Sequence, residues 1–562
     1  MSSEPIVNVG VRLSAMARER PEQIAVVEPL GRDAGGKRRY RSLTFRELDD
    51  DSNLLADGLW SIGARPGTRL VLLVRPSIDF ISLVFALFKA GVVTVLIDPG
   101  MGRRNLLRCL QDVEPEGFVA IPAVQAIRTI LRWRFPKAKY NVTVGRRWPL
   151  LGSGPTIADL RQRRLENFAP AATHRDDPAA IIFTTGSTGP PKGVLYRHGN
   201  FDQQVTQIRD FYGIQPGEID LPGFPLFALF NAAMGVTTVI PDMDFTRPAQ
   251  ANPQNILEAA RDWQVTQAFG SPALWNTVGR YCEEQNQTIP SLRRVLSAGA
   301  PVPPHVLKRM RAAIHPDGDI HTPYGATESL PVASISAREV LGETADRTAA
   351  GAGTCVGRRF PGIEWKVIRI SDEPLPSIDR IEELPRGEIG ELIVCGPVVT
   401  TEYVTRLDAN ALHKIRDGET IWHRLGDVGY LDDHDRFWFC GRKAHRVQTI
   451  AGTLFTEPCE AIFNQHPRVY RSALVGLGPP GQQRPVLIVE TWPDHRPRSP
   501  VDRIQLVAEL LARAQSHSGT KAIRDVLLHP ALPVDIRHNA KIFREKLVPW
   551  AARHCEYTLV EG

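Results

Sequence analysis

The sequence has 562 residues, too many for one small module, and 43% hydrophobic with 23% charged residues excludes a disordered chain. Gly and Pro, 45 of each, promise many turns but follow no collagen-like period. The formal charge of +6 suits an enzyme of anionic substrates, but equally a surface that meets acidic lipid or nucleic acid, so it excludes neither.

In chain order, residues 1–23 show no basic stretch followed by an apolar run, so no signal peptide is expected. Arg69–Val74, a helix at about Ile78–Lys89 and Val92–Ile97 form a β-α-β rhythm. The near-continuous apolar strands predict a parallel sheet covered on both faces. Lys89 and Gly91 interrupt Phe80–Ile97, which therefore reads as helix, stop and strand, not as a membrane span.

From Gly117 to Ala158 there is no acidic residue, while Arg128, Arg132, Arg134, Lys137, Lys139, Arg146 and Arg147 are interleaved with Trp133, Phe135, Tyr140 and Trp148. The pattern puts Val124, Ile127, Ile130 or Leu131, and Phe135 on one helical face. This is either a core-packed helix with a solvated basic face, or an interfacial face over residues 124–148 for anionic membrane lipid or an acidic neighbour. No nucleic-acid motif accompanies the charge, and no nucleic-acid partner is expected.

Strands are expected at Ala179–Phe183, Thr266–Gly270 and Val295–Ser297, with a helix at Asn255–Trp263. After about Gly353 the strands shorten (Glu364–Ile370, Gly390–Val394) around a polar, Pro-rich turn at Ser371–Arg386, which suggests a more antiparallel unit. From about Gly441 a third texture begins, with strands at Ala473–Val475 and Val486–Glu490 and a helix at Val501–Ala514. The expected division is 1–440 and 441–562. Seven widely spaced cysteines without a C-x-x-C argue against a disulfide framework or zinc site and for a reducing cytoplasm.

The strongest chemical signal is Phe183–Val194, FTTGSTGPPKGV. Glycines let backbone N–H groups approach an anion, hydroxyls add donors, and Lys192 adds a cation. It is not a Walker A loop, because Gly193 follows Lys192. Composition alone leaves a Gly/Pro surface turn open.

The run resembles the phosphate loop of the adenylate-forming superfamily, which includes acyl-CoA synthetases, peptide-synthetase adenylation domains and luciferases. Further motifs follow in the family's order: Ser297-Ala298-Gly299-Ala300-Pro301, Tyr324-Gly325-Ala326-Thr327-Glu328, Trp422–Asp427 (WHRLGD), Gly441-Arg442, Pro458-Cys459-Glu460 and Pro533–Arg544 (PVDIRHNAKIFR). The resemblance implies an α/β fold. Its large N-terminal domain would have stacked βαβ-type sheets plus a β-rich subdomain, and a small mobile α+β domain would follow. It implies ATP and Mg²⁺. Thr184, Thr185, Gly186, Ser187, Thr188 and Lys192 would hold the β- and γ-phosphates. Gly299, Ala300 and Pro301 would line the adenine side with Gly325 and Thr327, and Tyr324 would stack on adenine. Asp427 would take the ribose hydroxyls and Arg442 would sit near the ribose or α-phosphate. Glu328 would ligate Mg²⁺. Lys541 would bridge the substrate carboxylate and α-phosphate in the transition state, making Lys541, Glu328 and Thr184 the catalytic set.

Departures narrow the branch. Pro225–Phe230 lacks the histidine many CoA ligases carry, Ala444 replaces the usual hinge Asp or Lys, and His445–Leu454 departs from the stretch that lines a thiol's approach. Asp98–Leu106, Tyr196–Phe201 and Asp535–Lys541 look like the β-lactone synthetases of bacterial long-chain olefin biosynthesis. That family activates a long-chain 2-alkyl-3-hydroxy acid and cyclises it, in association with other enzymes of the olefin pathway. A long-chain acyl-CoA or acyl-AMP ligase, or a non-catalytic scaffold of the same fold, are the alternatives. His198, His321 and His445 are candidates by type for the base that removes the hydroxyl proton.

Overall fold

The computed structural model describes residues 5–149, 151–152, 154–162, 168–184, 190–224, 226–535 and 541–558. The first β-α-β unit forms as expected, with strand Arg69–Leu73, helix Ile78–Lys89 and strand Val93–Leu96. Ser77 caps the helix by accepting from Phe80 N (3.2 Å), and Gly91 supplies the positive φ of +70° that ends it. The helix is buried all round because the sheet lies on one side and further helices on the other. Lys89 at its end is fully buried, and its ammonium donates to Asp49 Oδ1, Ser52 Oγ (2.7 Å) and Asn53 Oδ1 (2.7 Å), so the charge is compensated.

These strands belong to a six-stranded sheet ordered Tyr140–Thr143, Gly117–Ala120, Arg69–Leu73, Val93–Leu96, Pro178–Phe183, Gly193–Arg197. All pairs are parallel except the last, a hairpin whose tip is the glycine-rich loop. A second sheet has 14 strands among the described residues. From Ile24–Arg32 through Arg294–Ser297 to Asp319–Ala326 its neighbours on this path run parallel, and beyond Asp319–Ala326 they run antiparallel. The short strands after Gly353 therefore extend this same sheet, reached through the pairing of Thr354–Arg359 with Ser329–Ser336 and Arg436–Arg442.

Beyond Gly441, strands Val469–Leu477, Arg484–Thr491 and Asp525–Leu528 make a three-stranded sheet flanked by helices Thr456–Phe463, Pro500–Ser516 and Arg544–Thr558. Two apolar clusters fill it, both drawn from residues 447–555. Helix Thr456–Phe463 also packs on Arg436–Arg442 of the large sheet.

The basic segment differs from its periodicity. The helix is Pro122–Ile130, followed by a turn at Arg132–Arg134 that swings Phe135 inward to 6% exposure. Gln125 and Arg128 face the interior, while Ile127 and Ile130 face solvent. Gln125 earns its place with two bonds from Nε2, to Phe118 O and Val142 O (2.9 Å each), tying the helix to the sheet's edge. No helix among the described residues is long and apolar enough to cross a membrane.

Candidate functional site

Segment Val399–Thr405 stitches the two sheets together at their strand ends. Thr400 donates from N and Oγ1 to Glu328 O (2.9 and 3.0 Å), and Val399 bridges Ser329. At its other end Val404 N donates to Gly193 O (2.9 Å), and Gly193 N donates to Thr405 Oγ1 (2.8 Å). The Tyr324–Glu328 turn of the large sheet is thereby held against the glycine-rich hairpin of the small one.

On the hairpin, Thr184 and Lys192 face each other. Thr184 N donates to Lys192 O, and Lys192 N to Thr184 Oγ1, both at 3.0 Å. Thr185, Gly186, Ser187 and Thr188 lie outside the described residues. The Lys192 ammonium donates to His413 Nε2 at 3.1 Å and sits 4.8 Å from the centre of the Tyr403 ring. His413 Nδ1 faces the carbonyl of Arg424 (3.3 Å), which can only accept, so Nδ1 carries the proton and Nε2 is left as an acceptor for Lys192. Burial and the nearby Lys192 push His413 down to about 4, which keeps it neutral. Burial lowers Lys192 too, against the pull of Glu328.

Glu328 is 8% exposed and accepts from the Tyr403 hydroxyl at 2.6 Å. Lys414 donates to Thr400 O, lies 5.4 Å from the Tyr403 ring centre, and is pushed down to about 7 by burial. Tyr403, His413 and Lys414 carry no motif. A signal for part of this was present: the Asp417-Gly418 turn fixes a hairpin in which Lys414 pairs with His423, next to Leu425-Gly426-Asp427.

The second half of the site joins Tyr324, Asp427 and Arg442. The Tyr324 hydroxyl donates to Asp427 Oδ2, across 103 residues of sequence. Asp427 and Arg442 are register partners on adjacent strands, with Arg442 Nη1 3.0 Å from Asp427 Oδ1 and from Leu425 O. Burial pushes the Asp427 carboxyl above its usual range, and Arg442, Tyr324 and Lys541 pull against it. Lys541 is also among the cations that, after burial, hold His445 down at about 3. Its carbonyl accepts from Asp535 N (2.9 Å). Thus Lys192, Glu328, Asp427, Arg442 and Lys541 surround one region.

Other expected residues play backbone parts. Gly325 leaves no room for a side chain, since a Cβ would meet Ser329 O at 2.5 Å. Thr327 offers its carbonyl to the Tyr196 hydroxyl. Gly299, Ala300 and Pro301 form an accessible turn between strand Arg294–Ser297 and helix Pro304–Ala313, with Gly299 at φ +99°. The three histidines separate. His198 is fully buried, with Nδ1 accepting from Val9 N (3.3 Å), and His321 packs on the Tyr212 ring (5.1 Å). Only His445 of the three feels both Arg442 and Lys541.

The donor set fits a nucleotide and a hard cation. Asp427 Oδ1 is buried and, beside its 3.0 Å ion pair with Arg442, accepts no hydrogen bond among the described residues, so it keeps capacity for a hydroxyl. No group of three His, Cys, Asp or Glu side chains that could cage a metal occurs among the described residues. A cation at Glu328 would depend on phosphate oxygens for much of its shell, the habit of Mg²⁺.

Residues 13–404 match the AMP-binding enzyme family. The chain is 47% identical over 98% of its length to the olefin beta-lactone synthetase of Xanthomonas campestris pv. campestris, covering 98% of that protein. It is also 47% identical to the olefin beta-lactone synthetase of Stenotrophomonas maltophilia, covering 98% of this chain and 99% of that one. A feruloyl-CoA synthase of Amycolatopsis is 26% identical over 86% of this chain and 89% of its own. Among solved structures, ATP-bound MatB of Rhodopseudomonas palustris superposes with a TM-score of 0.76 at 20% identity, covering 96% of this chain and 98% of that chain, which shows the shared fold. With its glycine-rich hairpin, its Tyr324–Asp427–Arg442 group and a family match that spans most of its length, the chain belongs to the AMP-binding enzymes.

Proposed function

We propose that the protein uses ATP to convert a long-chain 2-alkyl-3-hydroxy acid into its acyl-adenylate, then closes the substrate's own 3-hydroxyl onto the activated carbonyl. The products are a β-lactone, AMP and pyrophosphate, as a step of long-chain olefin biosynthesis. The observation that carries this reading is the 47% identity to olefin beta-lactone synthetases along nearly the whole of both chains, against 26% to a CoA-forming relative.

The residues give each step a physical basis. Bringing a carboxylate to a triphosphate sets two anions together. Thr184, Lys192 and the hairpin hydroxyls Thr185, Ser187 and Thr188 would take the β- and γ-phosphates. Mg²⁺, held by Glu328, would neutralise phosphate charge. Asp427, already oriented by Tyr324 and Arg442, would take the ribose hydroxyls. The turn Gly299–Pro301 with Gly325 and Thr327 would line the base. A carboxylate oxygen attacks the α-phosphorus, pyrophosphate leaves, and Lys541 stabilises the charge shared between them. In the second step the 3-hydroxyl oxygen bonds to the acyl carbon and AMP departs. The nucleophile is tethered, so no second substrate has to be recruited. Of the three candidate histidines His445 would be the one to accept the hydroxyl proton, since it alone of the three feels both Arg442 and Lys541, although burial is the main cause that holds its pKa down. Residues 441–562 would act as a mobile cap that carries Lys541 to the site. The expected setting is the cytoplasm, beside other enzymes of the olefin pathway.

Incubation with ATP, Mg²⁺ and the hydroxy acid, with and without CoA, tests the reading. Lactone should form without CoA. A thioester that forms only with CoA would overturn it in favour of an acyl-CoA ligase. Lys541→Ala should abolish pyrophosphate exchange while ATP still binds, and unchanged exchange would remove Lys541 from the mechanism.

A further inference from the structure

The helix Pro122–Ile130 is mounted with its polar side inward. Gln125 and Arg128 are 1% and 8% exposed, whereas Ile127 and Ile130 are 55% and 59% exposed. Trp133, three residues on in the following turn, is 67% exposed. The loop carrying Trp148 and Leu151 lies beside this helix, since Thr129 Oγ1 donates to Leu151 O (3.4 Å), and both side chains are solvent-facing. Two isoleucines, two tryptophans and a leucine thus share one region at the edge of the small sheet. Exposed large apolar residues scattered singly need no explanation, but a contiguous group built by burying glutamine and arginine does.

Charge identifies the occupant. No acid lies between Gly117 and Ala158. Glu114 and Asp159, just outside, pair with Lys137 (2.8 Å) and Arg147 (3.5 Å), and Arg134 meets the neutral Gln111 (3.2 Å) and no acid among the described residues. Arg132, Lys139 and Arg146 are exposed and make no ion pair among the described residues. Tryptophan and isoleucine surrounded by arginine and lysine suit a surface that is negative outside and apolar beneath, which is an anionic bilayer. The sheet's edge strand Tyr140–Thr143 stands four strand spacings, about 19 Å, from Pro178–Phe183, so this face can dock without covering the phosphate hairpin.

We propose that the Ile127–Ile130–Trp133 face, with Trp148, Leu151 and the surrounding basic residues, is a peripheral docking surface for anionic membrane lipid. It stands on the arrangement of this segment and does not depend on the reaction assigned to the site.

The test is co-sedimentation of the full chain with phosphatidylglycerol-containing vesicles and with pure phosphatidylcholine vesicles at moderate salt. Binding to the anionic vesicles alone is expected, weakening as salt rises. The Ile127→Ser/Trp133→Ser variant should lose about tenfold or more in affinity, and Arg132→Gln or Arg146→Gln about fivefold each. Pyrophosphate exchange should be unchanged in every variant, which certifies that each is folded. Binding to neither vesicle, or binding that these variants leave intact, would overturn the proposal. So would concentration-dependent oligomers without lipid that Ile130→Ser abolishes, since the face would then belong to a protein contact.

Discussion

Lys192, proposed to bind phosphate, illustrates how such a cation is kept ready. A free lysine side chain has four rotatable bonds, and fixing them on binding costs up to about 2 kcal/mol. Here the cost is met in advance: the ammonium rests on the acceptor nitrogen of a neutral His413 and over the Tyr403 ring. The tautomer that makes this possible is set by Arg424 O. His413→Ala should therefore raise the KM for ATP in pyrophosphate exchange about tenfold, the value of one hydrogen bond to a charged group, with little change in kcat. His413→Gln, which retains an acceptor, should recover much of it. A fall in kcat at constant KM would show that His413 does something other than position Lys192. Neither Tyr403 nor His413 could be read from the sequence as part of a site. They lie 75 and 85 positions after Glu328, and only the stitching of the two sheets brings them together. Lys192, Glu328 and Asp427, by contrast, were legible because each sits in a motif whose chemistry needs that residue type.

The strands and helices differ in how far their sequences announce them. Ile78–Lys89 was legible because apolar burial on all sides leaves a continuous run with a Ser cap and a Gly stop. Pro122–Ile130 was legible as a helix but not in its orientation, since periodicity cannot reveal that Gln125 will find two backbone carbonyls. The strand Thr420–Leu431 shows a third case. Its Arg424 is 1% exposed and donates to Glu391 (2.6 Å), to Glu373 O (2.9 Å), to Leu412 O (3.1 Å) and to Ser371 O. Lys443, one residue past Arg442, joins the same Glu391 at 3.1 Å and Ser371 O at 2.8 Å. The cluster pins the polar turn at Ser371 to the start of the C-terminal segment. Arg424→Met leaves Glu391 buried with one partner and should cost about 3–5 kcal/mol in urea unfolding; a loss under about 1 kcal/mol would mean that the turn relaxes and readmits water. Asp220, on strand Ile219–Pro222, makes a pH-dependent contribution. It is 2% exposed, bonded to Asn231 Nδ2 (2.6 Å), and pushed from 3.8 to about 7 by burial. The folded chain holds this proton where the unfolded chain releases it, so its contribution is complete below pH 3.8 and lost as pH rises through 7. Asp220→Asn should flatten that part of the stability profile and leave the variant more stable than its parent above pH 7. Parallel profiles would assign the slope elsewhere.

The two parts of the molecule meet where chemistry is proposed. Lys541 acts on Asp427 and His445, and Thr354 Oγ1 of the large sheet lies 3.4 Å from Glu457 Oε2 on helix Thr456–Phe463. Lys541 thus lies within electrostatic reach of Asp427, a group expected to hold the nucleotide. An enzyme that hands its adenylate to CoA must clear a path for the thiol, which in the adenylate-forming resemblance is the role of the swivelling small domain. A tethered hydroxyl needs no such path, because the nucleophile enters with the acid. Opening would then serve only loading and release, and a cap held closed once substrates are inside should still permit lactone closure. Cysteines at positions 354 and 457, joined by a short bifunctional thiol reagent after ATP and the hydroxy acid have bound, test this; all seven native cysteines are buried. One turnover of lactone is expected from the cross-linked enzyme, with multiple turnovers slowed and restored when the link is cleaved. Accumulation of acyl-adenylate without lactone would mean that the cap must move between the two steps, and the single-pose mechanism would fall.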